Sequence, residues 1–336
     1  RLNNTPNHRA LHEKLAAIEE AEAALVTASG MAAISAALLA VLKPGERLLI
    51  QRGVYGGTYS FVTGELHEFG VEVEFIDGGT PDEWEAALTP HTKAIYVESI
   101  GNPLMEVPAL EETVDFARRH GLISMIDGTF TSPVNYRPPE HGFDLSLHSC
   151  TKYLNGHSDI VAGAVTGDSE LVKETARKLV HLGGTLDPHA CFLLHRGLKT
   201  LRLRVEAQNR GAMELARFLV SHPRVTRVNY PGLEDFPGHE RAKRLFDGYG
   251  GMLSFELGGG AAAADTLIGN MELPISAPSL GGVESLITRP ATTSHASMSK
   301  KERRAQGIDD ALIRYSVGIE DPQDLIEDLR QALDRL

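Results

Sequence analysis

Between residues 23 and 167, short runs of aliphatic and β-branched residues alternate with segments of helical periodicity. That alternation restricts the possible fold more than any other feature of the chain. The runs are AALVT (23–27), RLLIQ (47–51), VEVEFID (71–77), KAIYVES (93–99), LISMID (122–127), DLSLHS (144–149) and IVAGAVTG (160–167). Between them lie MAAISAALLAVL (31–42), which Lys43, Pro44 and Gly45 end, and helical patterns at 57–69, 81–88 and 109–119. An earlier helix starts at Pro6 and carries Leu11, Leu15 and Ile18 at helical spacing. Strands separated by helices pair through crossovers rather than hairpins, which predicts an α/β fold with a large, mostly parallel sheet covered on both faces.

The pattern changes from about Gly183. Long helices are expected over 188–205 and 206–221, followed by VTRVNY, a helix after Pro237, MLSFEL, an Ala-rich helix, ESLIT, LIRYSV and a closing helix over 322–335. This reads as a smaller C-terminal α+β domain. The expected boundary lies near residue 207, between a larger domain (8–206) and a C-terminal domain (207–336). A chain of 336 residues is long enough to bury a core in each domain.

Composition removes several classes of function. The net charge of −12 lacks the basic footprint of a nucleic-acid binder. The basic stretch Lys300, Lys301, Arg303, Arg304 reads as a solvated helix face. Two cysteines, Cys150 and Cys191, make no disulfide framework and fit a reducing, cytoplasmic setting. The longest apolar run, Ala32–Leu42, is too short to span a bilayer. Neither a G-x-G-x-x-G nor a P-loop pattern occurs. His8 and His12 stand four apart but lack a third ligand nearby, so no metal is expected.

Three features converge on one chemistry. Asp127 ends a strand apolar enough to be buried on both faces, and Lys152 follows the next strand, in HSCTKYLNGHSD (148–159). Ala28, Ser29 and Gly30 open a helix whose first N–H groups make a phosphate seat, with Ser149 and Thr151 supplying hydroxyls. Singly, each has a plainer reading as a turn former, a solvated lysine or a helix cap. The topology brings all of them to one sheet edge, where open α/β sheets bind ligands. A phosphate seat, a buried acid and a lysine are what pyridoxal phosphate requires.

With SGMAAI (29–34), YGGT (55–58), ESIGNP (98–103), DGTF (127–130), RGLKTL (196–201), SLGGVESL (279–286) and RYSVGIE (314–320), the lysine segment resembles the Cys/Met-metabolism pyridoxal-phosphate enzymes. The resemblance implies the fold-type I, aspartate-aminotransferase-like architecture with a seven-stranded sheet. It implies Lys152 as the Schiff-base lysine, and Asp127 as partner of the pyridine nitrogen. Gly30, Met31, Ser149 and Thr151 would hold the phosphate. Tyr55 would stack on the ring and relay a proton, Asn102 would bond its phenolic oxygen, and Thr129 would lie in the cofactor-binding DGTF turn. Arg314 and Ser279 would bind the substrate carboxylate. RLNNTPN (1–7) resembles an arm that carries Arg1 to the phosphate of a neighbouring subunit. A homotetramer built as a dimer of dimers, with shared active sites, is the implied assembly.

The implied activity is making or cleaving the C–S bond of cystathionine, as a cystathionine γ-synthase or γ-lyase. Its substrates would be sulfur amino acids: cystathionine, O-acylhomoserine and cysteine. Cystathionine β-lyase, methionine γ-lyase and O-acylhomoserine sulfhydrylase stay open, because Pro278 departs from the family pattern at a position that helps choose the substrate's distal group; Gly101 and Gly128 are further departures from patterns common among relatives. A cofactor-binding regulatory protein and a dehydrogenase using the same crevice are the readings from other classes.

Overall fold

The computed structural model describes residues 3–296 and 298–336. Arg1, expected to act from an N-terminal arm, lies outside the described residues. The chain forms two compact units.

The first unit runs to Ile100 and resumes from Val107 to Lys199. Its strands are β1 (Ala23–Thr27), β2 (Arg47–Gln51), β3 (Glu72–Ile76), β4 (Thr92–Glu98), β5 (Ile123–Asp127), β6 (Leu145–Ser149) and β7 (Gly163–Gly167). They form one seven-stranded sheet in the order β1-β7-β6-β5-β4-β2-β3. Neighbours from β6 to β3 are parallel, whereas β7 is antiparallel to both β6 and β1. Every strand except β7 therefore ends at the same edge, and the loops beyond β1, β2, β4, β5 and β6 gather there.

Helix α1 (Pro6–Glu19) begins with proline at its first turn, where a missing N–H costs nothing. Its buried residues are His8, Leu11, Leu15 and Glu19, while Ile18 is only half-buried. The stripe thus ends on an acid. Helix α2 (Gly30–Val41) buries Ala33, Ala36 and Ala37, small residues that let it lie close on the sheet, together with Ile34, Leu38 and Val41. Because side chains alternate across a strand, Leu48 and Ile50 join the core with α2, whereas Leu49 packs with Ile95, Trp84 and Phe116 on the opposite face. Both faces are covered, as the apolar runs require. The helical pattern read over 57–69 divides into α3 (Gly56–Thr63) and a single turn, Glu65–Glu68, because Gly64 leaves helical geometry.

The second unit comprises Gly101–Glu106 and Thr200–Leu336. Its strands are β8 (Val225–Asn229), β9 (Met252–Leu257), β10 (Ile275–Ser276), β11 (Leu286–Thr288) and β12 (Ile313–Ser316), ordered β10-β11-β12-β9-β8. Only β10 and β11 pair in parallel. Leu253, Phe255, Ile313 and Tyr315 pack with Leu215 and Leu219 of the helix Leu201–Ser221 and Leu329 of the helix Pro322–Asp334. The hexapeptide 101–106 is bound into this unit. Ser254 Oγ donates to the Pro103 carbonyl at 2.7 Å, and Leu104 packs against Ile308 and Leu312. The helices expected to meet at 205–206 instead break at Lys199–Thr200, giving Pro188–Leu198 and Leu201–Ser221. Thr200 has non-helical dihedrals, and its hydroxyl takes the Arg204 Nε donor at 3.1 Å. The two units divide at that break, upstream of residue 207, which lies within the longer helix. Among the described residues no helix is long and apolar enough to cross a membrane.

Candidate active site

The turn between β1 and α2 is built to leave donors available. Ser29 adopts an extended conformation and caps α2, its Oγ accepting from Ala32 N at 3.0 Å. Its carbonyl accepts from Ala33 N at 3.1 Å and from Thr27 Oγ1 at 2.7 Å. The Gly30 and Met31 N–H groups take no part in this cap. They point from the positive end of a twelve-residue helix. Ser149, at the end of β6, packs directly on Gly30: a Cβ there would lie 2.9 Å from Ser149 Cβ. Glycine at position 30 is what lets that hydroxyl approach the helix start.

A chain of hydrogen bonds joins this seat to Asp127. Ser149 N donates to Thr129 Oγ1 at 2.8 Å, and Thr129 N donates to Asp127 Oδ1 at 2.9 Å. The bond to Thr129 fixes the plane of the carboxylate. Although the strand end is partly open by surface area, the protein packed around it pushes the Asp127 carboxyl above its ordinary range; Thr129 and then His148 oppose that shift.

Glu98, directly across from Asp127 on β4, is a residue that the sequence reading passed over. It is buried, its backbone N–H donates to Gln51 Oε1 at 2.9 Å, and its Oε1 accepts from Tyr55 N at 2.6 Å. Burial and the neighbouring Asp127 charge push its carboxyl up, against the Tyr55 bond. Glu98 therefore ties the start of α3 to the sheet edge. The Tyr55 ring, 47% exposed, leans over Gly57, whose missing Cβ would lie 2.5 Å from Tyr55 Cε1 and 3.1 Å from Met31 Sδ. This sets an aromatic face beside the α2 start. Lys152 sits half-buried in the turn after β6; its N–H donates to the Ser149 carbonyl at 3.1 Å, and its own carbonyl accepts from Gly156 N at 2.8 Å. Thr151 is turned aside: its Oγ1 donates to the Ala162 carbonyl at 3.2 Å and accepts from Ala162 N at 3.1 Å.

In the second unit, the other expected residues meet one another. Arg314, buried on β12, donates from Nη1 to Asn102 Oδ1 at 3.1 Å and from Nη2 to the Ser279 carbonyl at 3.2 Å. Ser279 holds φ at +114°, a strained conformation for a residue with a side chain. Buried His295 belongs to this cluster too, and nothing in its sequence surroundings marked it. Burial and the Arg314 charge push it down to about 4, with Asn102 opposing and Arg303 adding, so it is neutral. His8 and His12, the spacing that suggested a metal, are engaged with protein groups: His8 with Thr5 and the Leu186 carbonyl, and His12 Nε2 with Val26 N.

A family model described as the Cys/Met metabolism PLP-dependent enzymes matches residues 1–334. The chain belongs to that family. Pyridoxal phosphate is accordingly its cofactor, and its architecture is the fold-type I α/β fold. Relatives include cystathionine gamma-lyase and cystathionine beta-lyase MetC of Bacillus subtilis, each 43% identical over 98% of this chain, covering 87% and 85% of those proteins. L-methionine gamma-lyase of Fusobacterium nucleatum subsp. polymorphum is 40% identical over 100% of this chain and 86% of its own length. The crystal structure of metB from Corynebacterium glutamicum matches with a TM-score of 0.95 and 36% identity, covering 99% of this chain and 86% of that one. The first unit of this Cys/Met-metabolism enzyme fits the family's cofactor. Two helix-start N–H groups and a hydroxyl brought close by Gly30 suit a phosphate, and the oriented Asp127 carboxylate suits a protonated pyridine nitrogen.

Proposed function

We propose that this enzyme acts on the C–S bond of sulfur amino acids by elimination or replacement at the γ-carbon, with cystathionine as its substrate or product. The observation that carries the reading is the line of contacts along the sheet edge, Gly30–Ser149–Thr129–Asp127, with Lys152 on the same turn as Ser149. When bound, pyridoxal phosphate supplies the electron sink that stabilises negative charge at the substrate's α-carbon.

The chain's own residues do the rest. Gly30, Met31 and Ser149 hold the phosphate, and Thr151 joins them through its backbone or by turning its hydroxyl from Ala162. Asp127 holds the pyridine N–H, with Thr129 fixing its plane, and Asn102 is assigned the cofactor's phenolic oxygen. The Lys152 Nζ would anchor the cofactor and, when free, would take the substrate's α-proton. Tyr55 Oη delivers a proton to the departing sulfur. Arg314 takes the substrate α-carboxylate, its planar fork suiting a bidentate pair, and Ser279 closes on the same group. Cleavage of cystathionine with one water then gives cysteine, 2-oxobutanoate and ammonia. With cysteine and an O-acylhomoserine, the same residues make the thioether and release the acid. Arg1 acting across a subunit boundary, in a dimer of dimers, belongs to this proposal.

The test incubates holoenzyme separately with cystathionine, methionine, cysteine, and O-acylhomoserine plus cysteine, and identifies the products. Cysteine and 2-oxobutanoate from cystathionine, or cystathionine from the last mixture, support γ-chemistry. Pyruvate and homocysteine from cystathionine would move the assignment to β-cleavage, and methanethiol as the main product would make methionine the substrate. Lys152→Ala should purify without borohydride-fixable cofactor and without turnover; turnover at the wild-type rate would overturn the lysine's role.

A further inference from the structure

Beneath the sheet edge lies an ion pair that the reading above does not use. Glu19, the last residue of α1, places Oε1 2.8 Å from His148 Nε2 on β6, with side chains 1% and 2% exposed. That separation is within ion-pair range for a carboxylate and an imidazolium. Ser146 Oγ stands 3.1 Å from the same nitrogen, and Thr166 Oγ1 donates to Glu19 Oε2 at 3.4 Å. Charges this deeply buried persist only when paired.

The position of the imidazole relates the pair to the cofactor site. His148 stands against Gly128, the residue after Asp127: a Cβ on Gly128 would lie 2.7 Å from His148 Cε1. Burial alone would push His148 down, but the Glu19 carboxylate, and after it the Asp127 charge, carry it above its ordinary value. The reciprocal influence acts on Asp127, where His148 favours the charged form against burial. The sequence runs carboxylate, imidazolium, carboxylate, from the last turn of α1 to the end of β5.

We propose that Glu19 and His148 are positioning residues for the cofactor's ring nitrogen, holding a buried positive charge behind Asp127 so that its carboxylate meets the pyridine N–H as an anion. This rests on the reading of Asp127 as the ring-nitrogen partner. Neither residue touches the cofactor. Removing the Glu19 charge leaves an imidazole that burial keeps neutral, and Asp127 then loses its counter-charge. A nitrogen that is not protonated is a weaker electron sink, so binding and turnover suffer together.

The test measures dissociation constants of two ligands for each apoenzyme refilled with cofactor. One is pyridoxal phosphate; the other is its 1-deaza analogue, which has carbon in place of the ring nitrogen. The variants are Glu19→Gln, which keeps the acceptor for Thr166, His148→Gln as the second route should the first not fold, Glu19→Asp, and Asp127→Asn as reference. The expected result is that wild type prefers pyridoxal phosphate. Asp127→Asn, Glu19→Gln and His148→Gln should each lower that preference by roughly tenfold or more, with Glu19→Asp restoring most of it. Equal weakening of both ligands by Glu19→Gln and His148→Gln would make the pair merely structural and overturn the inference. A preference lost in Asp127→Asn but intact in the other two would overturn it while leaving Asp127 in its role. A preference intact even in Asp127→Asn would remove the Asp127 reading, and this inference with it.

Discussion

Gly163 offers a way to damage the proposed phosphate seat without touching a residue assigned to line it. It starts β7 and pairs with Thr27 on one side and Ser149 on the other. A Cβ there would lie 2.2 Å from the Ser29 carbonyl oxygen and 2.5 Å from Thr27 Oγ1. Ordinary contact begins at 3.4 Å, so Gly163→Ala must move the Ser29 carbonyl by about 1.2 Å. That carbonyl is backbone and already holds Ala33 N and Thr27 Oγ1, so it has no flexible tip to swing aside. Overpacking costs about 1–3 kcal/mol. Weakening of the two bonds to the carbonyl adds about 1 kcal/mol, and the stiffer unfolded chain returns about 0.4–1 kcal/mol. The net expectation is a loss of about 1–3.5 kcal/mol. Because Ser29 caps α2, the same shift moves the Gly30 and Met31 donors by about an ångström, enough to lengthen a 2.9 Å hydrogen bond past its useful range.

The assay pairs urea denaturation of the apoprotein with a spectroscopic titration of pyridoxal phosphate. Gly269→Ala is the control: that glycine lies in a helix with nothing near its missing Cβ, so the change should be neutral or slightly stabilising. A Gly163→Ala protein with wild-type midpoint and wild-type cofactor affinity would refute the reasoning.

Three further outcomes are expected. Arg314→Leu strips Asn102 Oδ1 and the Ser279 carbonyl of their donors and should lower kcat/KM by about 10²–10⁴ with cofactor absorbance retained; an unchanged KM in steady-state assays would contradict the carboxylate role. Glu98→Ala removes the acceptor of Tyr55 N and should reduce kcat/KM by roughly tenfold or more, whereas Glu98→Gln keeps an acceptor and much of the activity; equal activity in all three proteins would show that Tyr55 needs no such tie. His12 is pushed down to about 4 by burial and by His8, so it folds as the neutral form. Its stabilisation is full above the unfolded value and is lost as pH falls from about 6.5 toward 4. Wild type should therefore lose about 1–2 kcal/mol more than His12→Gln between pH 7 and pH 5, read from denaturation midpoints; parallel losses would contradict it.

Each of the seven apolar runs of the first unit overlaps an observed strand, because runs rich in aliphatic and β-branched residues suit a mostly buried sheet. Less visible was that β7 turns antiparallel: IVAGAVTG has the composition of its neighbours, and direction depends on the connection rather than on the run. The residues of HSCTKYLNGHSD and DGTF stood out because polar groups follow buried strands there. Glu98 carried the same signal, an acid at the end of KAIYVES, but was read only as part of a motif. Glu19 was hidden by its own helix, where the apolar stripe of Leu11 and Leu15 continues four residues on into a carboxylate. Its partner His148 alternates with Ser146 and looks like any polar position on a half-exposed strand. A buried pair formed by one helix and one distant strand has no local signature. The break at Thr200 was likewise illegible, because the apolar spacing runs on through it.

The hexapeptide Gly101–Glu106 limits how this enzyme can be recombined with its relatives. Its residues are encoded among those of the first unit, yet they bond to Ser254 and Arg314 and fill a hollow at Ile308 and Leu312. A chimera that exchanged only residues 200–336 would confront a foreign surface with the native Asn102 and Leu104. Grafting another member's substrate preference onto this scaffold therefore calls for two crossover segments, the shorter of them six residues long.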